Sequence, residues 1–110
     1  MFVKQLKELK IPVSQYLSIA KERAKKEGYD PKLLSISKKS EYKLNYDGVD
    51  FGRTGYGDFI IWSLLEKRGD VEEGYAQQKR NVFQKSHSKI KGDWKKDPKS
   101  RNNLALKINW

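Results

Sequence analysis

The sequence predicts a small fold of the α+β class, mostly helical, with one β-hairpin. Three observations carry that expectation. Apolar residues recur at helical spacing in several segments; an Asp-Gly pair separates two alternating runs at 42–46 and 49–51; and the run 59–65 is apolar except for Ser63. The 110 residues suit a single core. Apolar residues make up 36% and charged residues 35%, so the core must be thin, but three Trp, six Tyr and four Phe give it large surfaces to bury.

At the N-terminus, Phe2, Leu6 and Leu9 fall on one side of a short amphipathic helix over 2–10, stopped by Pro12. Residues 1–13 are read as an amphipathic segment that packs either on the domain or on a partner, and 14–110 as the single basic domain. Ser14 is the expected cap of a second helix reaching Glu27, which buries Tyr16 or Leu17 with Ala20 and Ala24 and stops at Gly28. Asp30-Pro31 then turns the chain, and a short strand follows around Leu34-Ser35-Ile36.

Asp47-Gly48 favours a two-residue type I′ turn, because both central residues need positive φ. That loop sets Tyr46 opposite Val49 and Leu44 opposite Phe51, all on one face with Tyr42, and leaves Lys43, Asn45 and Asp50 on the other. After a glycine-rich turn (Gly52, Gly55, Gly57), Asp58 caps a helix from Phe59 to about Lys67, ended by Gly69; apolar almost all round, it belongs at the centre of the core. A longer helix is expected over 72–91, with Ala76, Phe83 and Ile90 seven residues apart, Glu72 and Glu73 at its N-terminal dipole end, and Gly92 closing it. In the tail, Leu104, Leu106, Ile108 and Trp110 alternate as in a strand, but Asn102 or Asn103 can cap a terminal helix, and helix is the expectation.

The net charge of +10, from 24 Lys and Arg against 14 Asp and Glu, sets up a positive field that attracts polyanions: nucleic acid, acidic protein faces or anionic membrane surfaces. Absence of cysteine excludes disulfides and thiolate metal sites, and favours an intracellular or particle-borne setting over secretion. Lysines interrupt the first residues too often for a signal peptide, and no apolar run is long enough to cross a bilayer, so no transmembrane segment is expected.

The basic stretch 79–101 carries nine Lys and Arg against Asp93 and Asp97. Within it Arg80, Gln84, His87 and Lys91 are expected to share the helix face opposite Ala76 and Phe83, and with Lys85, Lys89, Lys95 and Lys96 to form a polyanion-binding strip. Phe2, Leu6, Leu9 and Trp94 are the candidate protein-interface residues, and Tyr29, Tyr56, Trp94 and Trp110 are aromatics able to stack on bases or anchor an interface.

The glycine turn lacks the Gly-Lys-Ser/Thr ending of a P-loop, and Asp58 would repel a phosphate, so it is read as structural. His87 is the only histidine, and adjacent Glu72 and Glu73 diverge on a helix, so no catalytic or metal-ligating constellation is indicated, and no cofactor or small-molecule substrate is expected. An enzyme of nucleic-acid metabolism would require Asp50, Asp58 and Glu66 to converge around Mg²⁺.

Several strings bear a resemblance: Gly28-Tyr29-Asp30-Pro31; Val49-Asp50-Phe51-Gly52 with Gly55-Tyr56-Gly57-Asp58-Phe59; Gly74-Tyr75 with Lys79-Arg80 and Ser86-His87; Gly92-Asp93-Trp94; and Asn102-Asn103-Leu104-Ala105 up to Trp110. Over roughly residues 15 to 110 the chain resembles a family of small uncharacterised proteins encoded by large double-stranded DNA viruses of eukaryotes, such as those of algae and amoebae. Arg101 departs from it, standing where proline is expected before the Asn pair.

The resemblance implies no catalytic residues. It implies a virion, or the host cytoplasm or nucleus during assembly. The expected function is therefore that of a structural virion protein, a minor capsid or internal component that binds capsid proteins and possibly the genome. The alternative is a sequence-nonspecific protein that packages double-stranded viral DNA.

Overall fold

The computed structural model describes residues 2–87, 89–90 and 96–110. Its elements run α1 (Phe2–Glu8), α2 (Val13–Lys26), a 3-10 turn (Pro31–Leu33), β1 (Leu34–Ile36), β2 (Tyr42–Tyr46), β3 (Val49–Arg53), α3 (Phe59–Lys67), α4 (Tyr75–His87), α5 (Arg101–Leu104) and a π-helical turn (Ala105–Asn109). The strands form one antiparallel sheet in the order β1-β2-β3, so the α+β class is realised, with the expected short strand at Leu34–Ile36 pairing with the hairpin.

The hairpin has the expected register, Tyr46 opposite Val49 and Leu44 opposite Phe51. Asp47 and Gly48 take φ of 48° and 88°, as a type I′ turn demands. Since β2 is the central strand, Leu44 and Tyr46 enter the core from one of its faces. The other face is closed as well: Lys43 is only 2% exposed.

One core joins α1, α2, the sheet, α3 and the C-terminal helical segment, through Phe2, Leu6, Ile11, Tyr16, Ala20, Leu44, Phe51, Ile60, Leu65, Leu104 and Ile108. Residues 1–13 are thereby placed as far as they are described: α1 packs on the domain. Phe2 and Leu6, the candidate interface residues of a segment expected to pack either on the domain or on a partner, are 1% and 0% exposed, because the helix turns its apolar side inward, where the Phe2 ring meets Tyr16 edge-on at 4.8 Å. Leu9 packs partly buried against the same core.

Other expectations are corrected in detail. Pro12, not Ser14, occupies the cap of α2, in extended backbone and without a side-chain bond; Ser14 lies within the first turn. The aliphatic helix α3 buries Ile60, Ile61 and Leu65 fully, while Phe59, Trp62 and Leu64 are half-buried. It is wedged between α2 and α4 and is not enclosed on all sides.

Helix α4 begins at Tyr75, after Gly74, so Glu72 and Glu73 precede it, and it ends at His87. Ile90, expected to extend its apolar stripe, is beyond that end and exposed. Gly92, the expected stop, lies outside the described residues. The tail is helical, but Ser100 provides the cap, its hydroxyl accepting from Asn103 N at 3.3 Å, and Asn103 is buried inside α5. Arg101 is the first helical residue, a position that also suits proline.

Candidate polyanion-binding cleft

The end of the β2–β3 hairpin, the glycine turn, α3, α4 and the C-terminal helical segment enclose a cleft of about 860 Å³. Each element contributes for a local reason. Asp58 caps α3 by accepting from Ile61 N at 2.9 Å, which fixes where the helix starts and brings Trp62 against Gly57. A Cβ on Gly57 would come within 2.4 Å of the Trp62 ring, so the close approach of backbone to indole requires glycine there. Trp62 meets Tyr75 of α4 edge-on at 5.1 Å, and Lys79, one turn along α4, holds its ammonium 5.9 Å from the Trp62 centroid and 5.3 Å from that of Tyr75.

Further along α4, Phe83 is stacked between His87, at 4.5 Å, and Trp110, at 4.3 Å and 6° from parallel, forming a column of three rings. Burial pushes the His87 imidazole below its ordinary value of 6.5, against a hydrogen bond to the Asn102 backbone that raises it. Arg101 crosses the Tyr42 ring at 4.5 Å while its Nε donates to the Asp50 carbonyl at 2.8 Å, and Arg53 lies exposed at the end of β3. Tyr42, Tyr56, Trp62, Phe83 and Trp110 thus line the cleft together with the cations Lys43, Arg53, Lys79 and Arg101, and no Asp or Glu is among the described residues lining it.

Beneath the cleft is a buried polar network. Asp58 Oδ2 accepts from Lys43 Nζ at 2.9 Å, from the Tyr16 hydroxyl at 2.5 Å and from Asn109 Nδ2 at 3.3 Å. Lys43 also donates to the Tyr56 carbonyl at 2.7 Å. Lys43 and Asp58 are 2% and 1% exposed, so each is the other's neutralising partner inside the core. The Tyr16 phenol is pushed well above its usual range, first by burial and then by the Asp58 charge, and stays protonated as a donor. Asn109 Oδ1 rests against the Gly52 backbone without a hydrogen-bond partner among the described residues; a Cβ at Gly52, whose φ is 76°, would approach it to 2.9 Å. With Lys43 charge-paired, the cleft's available cations are Arg53, Lys79 and Arg101.

The sequence-predicted strip is arranged differently. At about 100° per residue, Arg80 and His87 lie within about 40° of Ala76, so Arg80, Gln84 and His87 share the inward side of α4 with Ala76 and Phe83, and not the opposite side. His87 lines the cleft. Arg80 instead covers one aromatic ring together with Arg23: their guanidinium carbons are 5.0 Å and 5.2 Å from the Phe59 centroid. The Arg23 guanidinium is held below its usual value by burial and then by the Arg80 charge. Lys85, Lys89 and Lys96 are exposed, outside the cleft lining. Lys91, Lys95 and Trp94 lie outside the described residues.

Sequence reasoning missed Arg53, Lys43 and Trp62 as cleft residues, and passed over Lys79 and Arg101 although both belong to the basic stretch. Tyr56 and Trp110, singled out as stacking aromatics, do line the cleft, whereas Tyr29 donates to the Pro98 carbonyl at 2.6 Å elsewhere.

The three carboxylates that catalysis would need are separately engaged. Asp50 accepts from Ser37 and Asn45, Asp58 pairs with Lys43, and Glu66 accepts from Ala76 N. Among the described residues no group of His, Asp and Glu is arranged to hold a metal ion, and no helix is long and apolar enough to cross a membrane. No family model, curated protein or solved structure matches the chain.

Proposed function

We propose that this chain is a non-catalytic structural component of a virus particle that holds nucleic acid without sequence preference. One observation carries the nucleic-acid part: a cleft lined by aromatic rings and by Arg53, Lys79 and Arg101, free of Asp and Glu among its described lining, on a chain of net charge +10. The viral setting rests on the resemblance alone. A role in cementing capsid proteins is the neighbouring reading, and the inward turn of Phe2 and Leu6 removes its main sequence support; exposed Val3, Leu33, Tyr56, Val82 and Ile90 are what it retains among the described residues.

The test is binding to random-sequence duplex DNA across a salt series. Affinity should fall steeply, with a log–log slope of about −0.9 per phosphate neutralised. An Arg53→Gln/Lys79→Gln/Arg101→Gln variant that keeps its circular dichroism spectrum should lose roughly three units of that slope. Weak binding indifferent to salt and to these substitutions would move the function to capsid assembly.

A further inference from the structure

We propose that the cleft seats an unpaired nucleotide of single-stranded nucleic acid, its base continuing the ring column at Trp110 and its phosphates reaching Arg53, Lys79 and Arg101. This deepens the nucleic-acid reading and rests on it. The cleft's volume, about 860 Å³, falls in the range that encloses a small organic ligand, so a nucleotide fits and a double helix does not.

The ring geometry specifies a planar occupant. Phe83 has one face on His87 and the other on Trp110, and the 6° tilt makes Trp110 the next parallel step of the column. Trp110 lines the cleft, is only partly buried, and has its Phe83-facing side occupied, so its second face is the one a base can cover.

Charge narrows the occupant further. The three cations that line the cleft with Trp110 fit a phosphodiester on either side of the stacked base. Lys79 holds its ammonium over Trp62 and Tyr75, Arg101 lies over Tyr42 and donates to the Asp50 carbonyl, and Arg53 is exposed; among the described residues none of the three is within ion-pair distance of a carboxylate. A duplex keeps its base faces stacked on one another and offers only its phosphates to such a surface, whereas an unpaired strand offers both groups.

The experiment measures anisotropy of labelled twelve-nucleotide oligothymidylate at fixed low salt, with a random-sequence duplex of equal length, thymidine monophosphate and an oligoglutamate peptide as competitors. The wild-type chain, Trp110→Ala and Trp110→Phe are compared, each checked by thermal melting. The oligothymidylate should bind more tightly than duplex, monophosphate or peptide. Trp110→Ala should weaken it roughly tenfold, the loss of about one base–aromatic stack, with duplex affinity unchanged, and Trp110→Phe should recover most of the loss.

Equal loss for single strand and duplex in Trp110→Ala, no loss for either, or a monophosphate or peptide that binds as tightly as the oligonucleotide would overturn the assignment while salt-dependent duplex binding stood. Failure to bind either strand form would remove the nucleic-acid reading itself.

Discussion

Asp58 does two things with its two oxygens. Oδ1 caps α3 and Oδ2 neutralises Lys43 while accepting from Tyr16 and Asn109. The two halves of the ion pair are therefore unequally supported. Removing the ammonium, as in Lys43→Met, leaves a carboxylate that still accepts from Ile61 N, Tyr16 and Asn109. Removing the carboxylate, as in Asp58→Ala, strands a buried ammonium whose remaining acceptor among the described residues is the Tyr56 carbonyl. Stranding a buried charge costs about 3–5 kcal/mol, and the lost cap adds about 1 kcal/mol. Urea denaturation should accordingly show Asp58→Ala as clearly the more destabilised of the two, and equal losses would show that the Lys43 charge is solvated in some other way. Sequence reasoning found the capping oxygen, because an N-cap is a local pattern. It could not find the second oxygen's partner, because strand alternation says only that Lys43 points away from Leu44, not that α1 and the glycine turn cover that side.

Helix α4 shows how one element serves packing and site together. Its inward side, Tyr75, Ala76, Lys79, Arg80, Phe83, Gln84 and His87, mixes apolar and cationic groups, and among the described residues the cations lie over rings and not against carboxylates. Burial holds the imidazole at its C-terminal end below its ordinary value of 6.5, which favours the uncharged form in the stacked column. Because the unfolded chain then binds the proton more readily, stability is fully present above the ordinary histidine value and declines as pH falls through it toward the lowered one. Melting temperatures of wild type and His87→Gln compared at pH 8 and pH 5.5 should show a larger acid-induced drop in the wild type; parallel drops would place the titration elsewhere. The helix itself was legible from its seven-residue spacing. Its early end and the inward placement of its cations were not, because a count of basic residues carries no information about which side the neighbouring helix covers, and Phe59 of α3 is what draws Arg80 in.

At the scale of the molecule, the elements closest in sequence were the most legible: the hairpin, its register, the Asp58 cap and the Asp30-Pro31 turn all follow from neighbouring residues. What joined them was not, since the cleft takes residues from the open end of the β2–β3 hairpin, from the glycine turn, from α3 and α4 and from the C-terminal segment. The tie between α2 and that segment is the longest such connection among the described residues: Asn109 Nδ2 donates to the Tyr16 hydroxyl at 2.8 Å across 93 positions of sequence, and Arg23 Nε donates to the Ile108 carbonyl at 2.7 Å across 85. In kinetic terms, these contacts close nearly the whole chain into a loop, and closure of a long loop comes late because its entropy must be overcome before the contacts form. The docking of Leu104 and Ile108 should therefore follow the rate-limiting step of folding. Ile108→Val, a loss of one buried methyl group, should accelerate unfolding in stopped-flow denaturant jumps while leaving the folding rate nearly unchanged, and the lifetime of the cleft would then be the lifetime of that one docked segment.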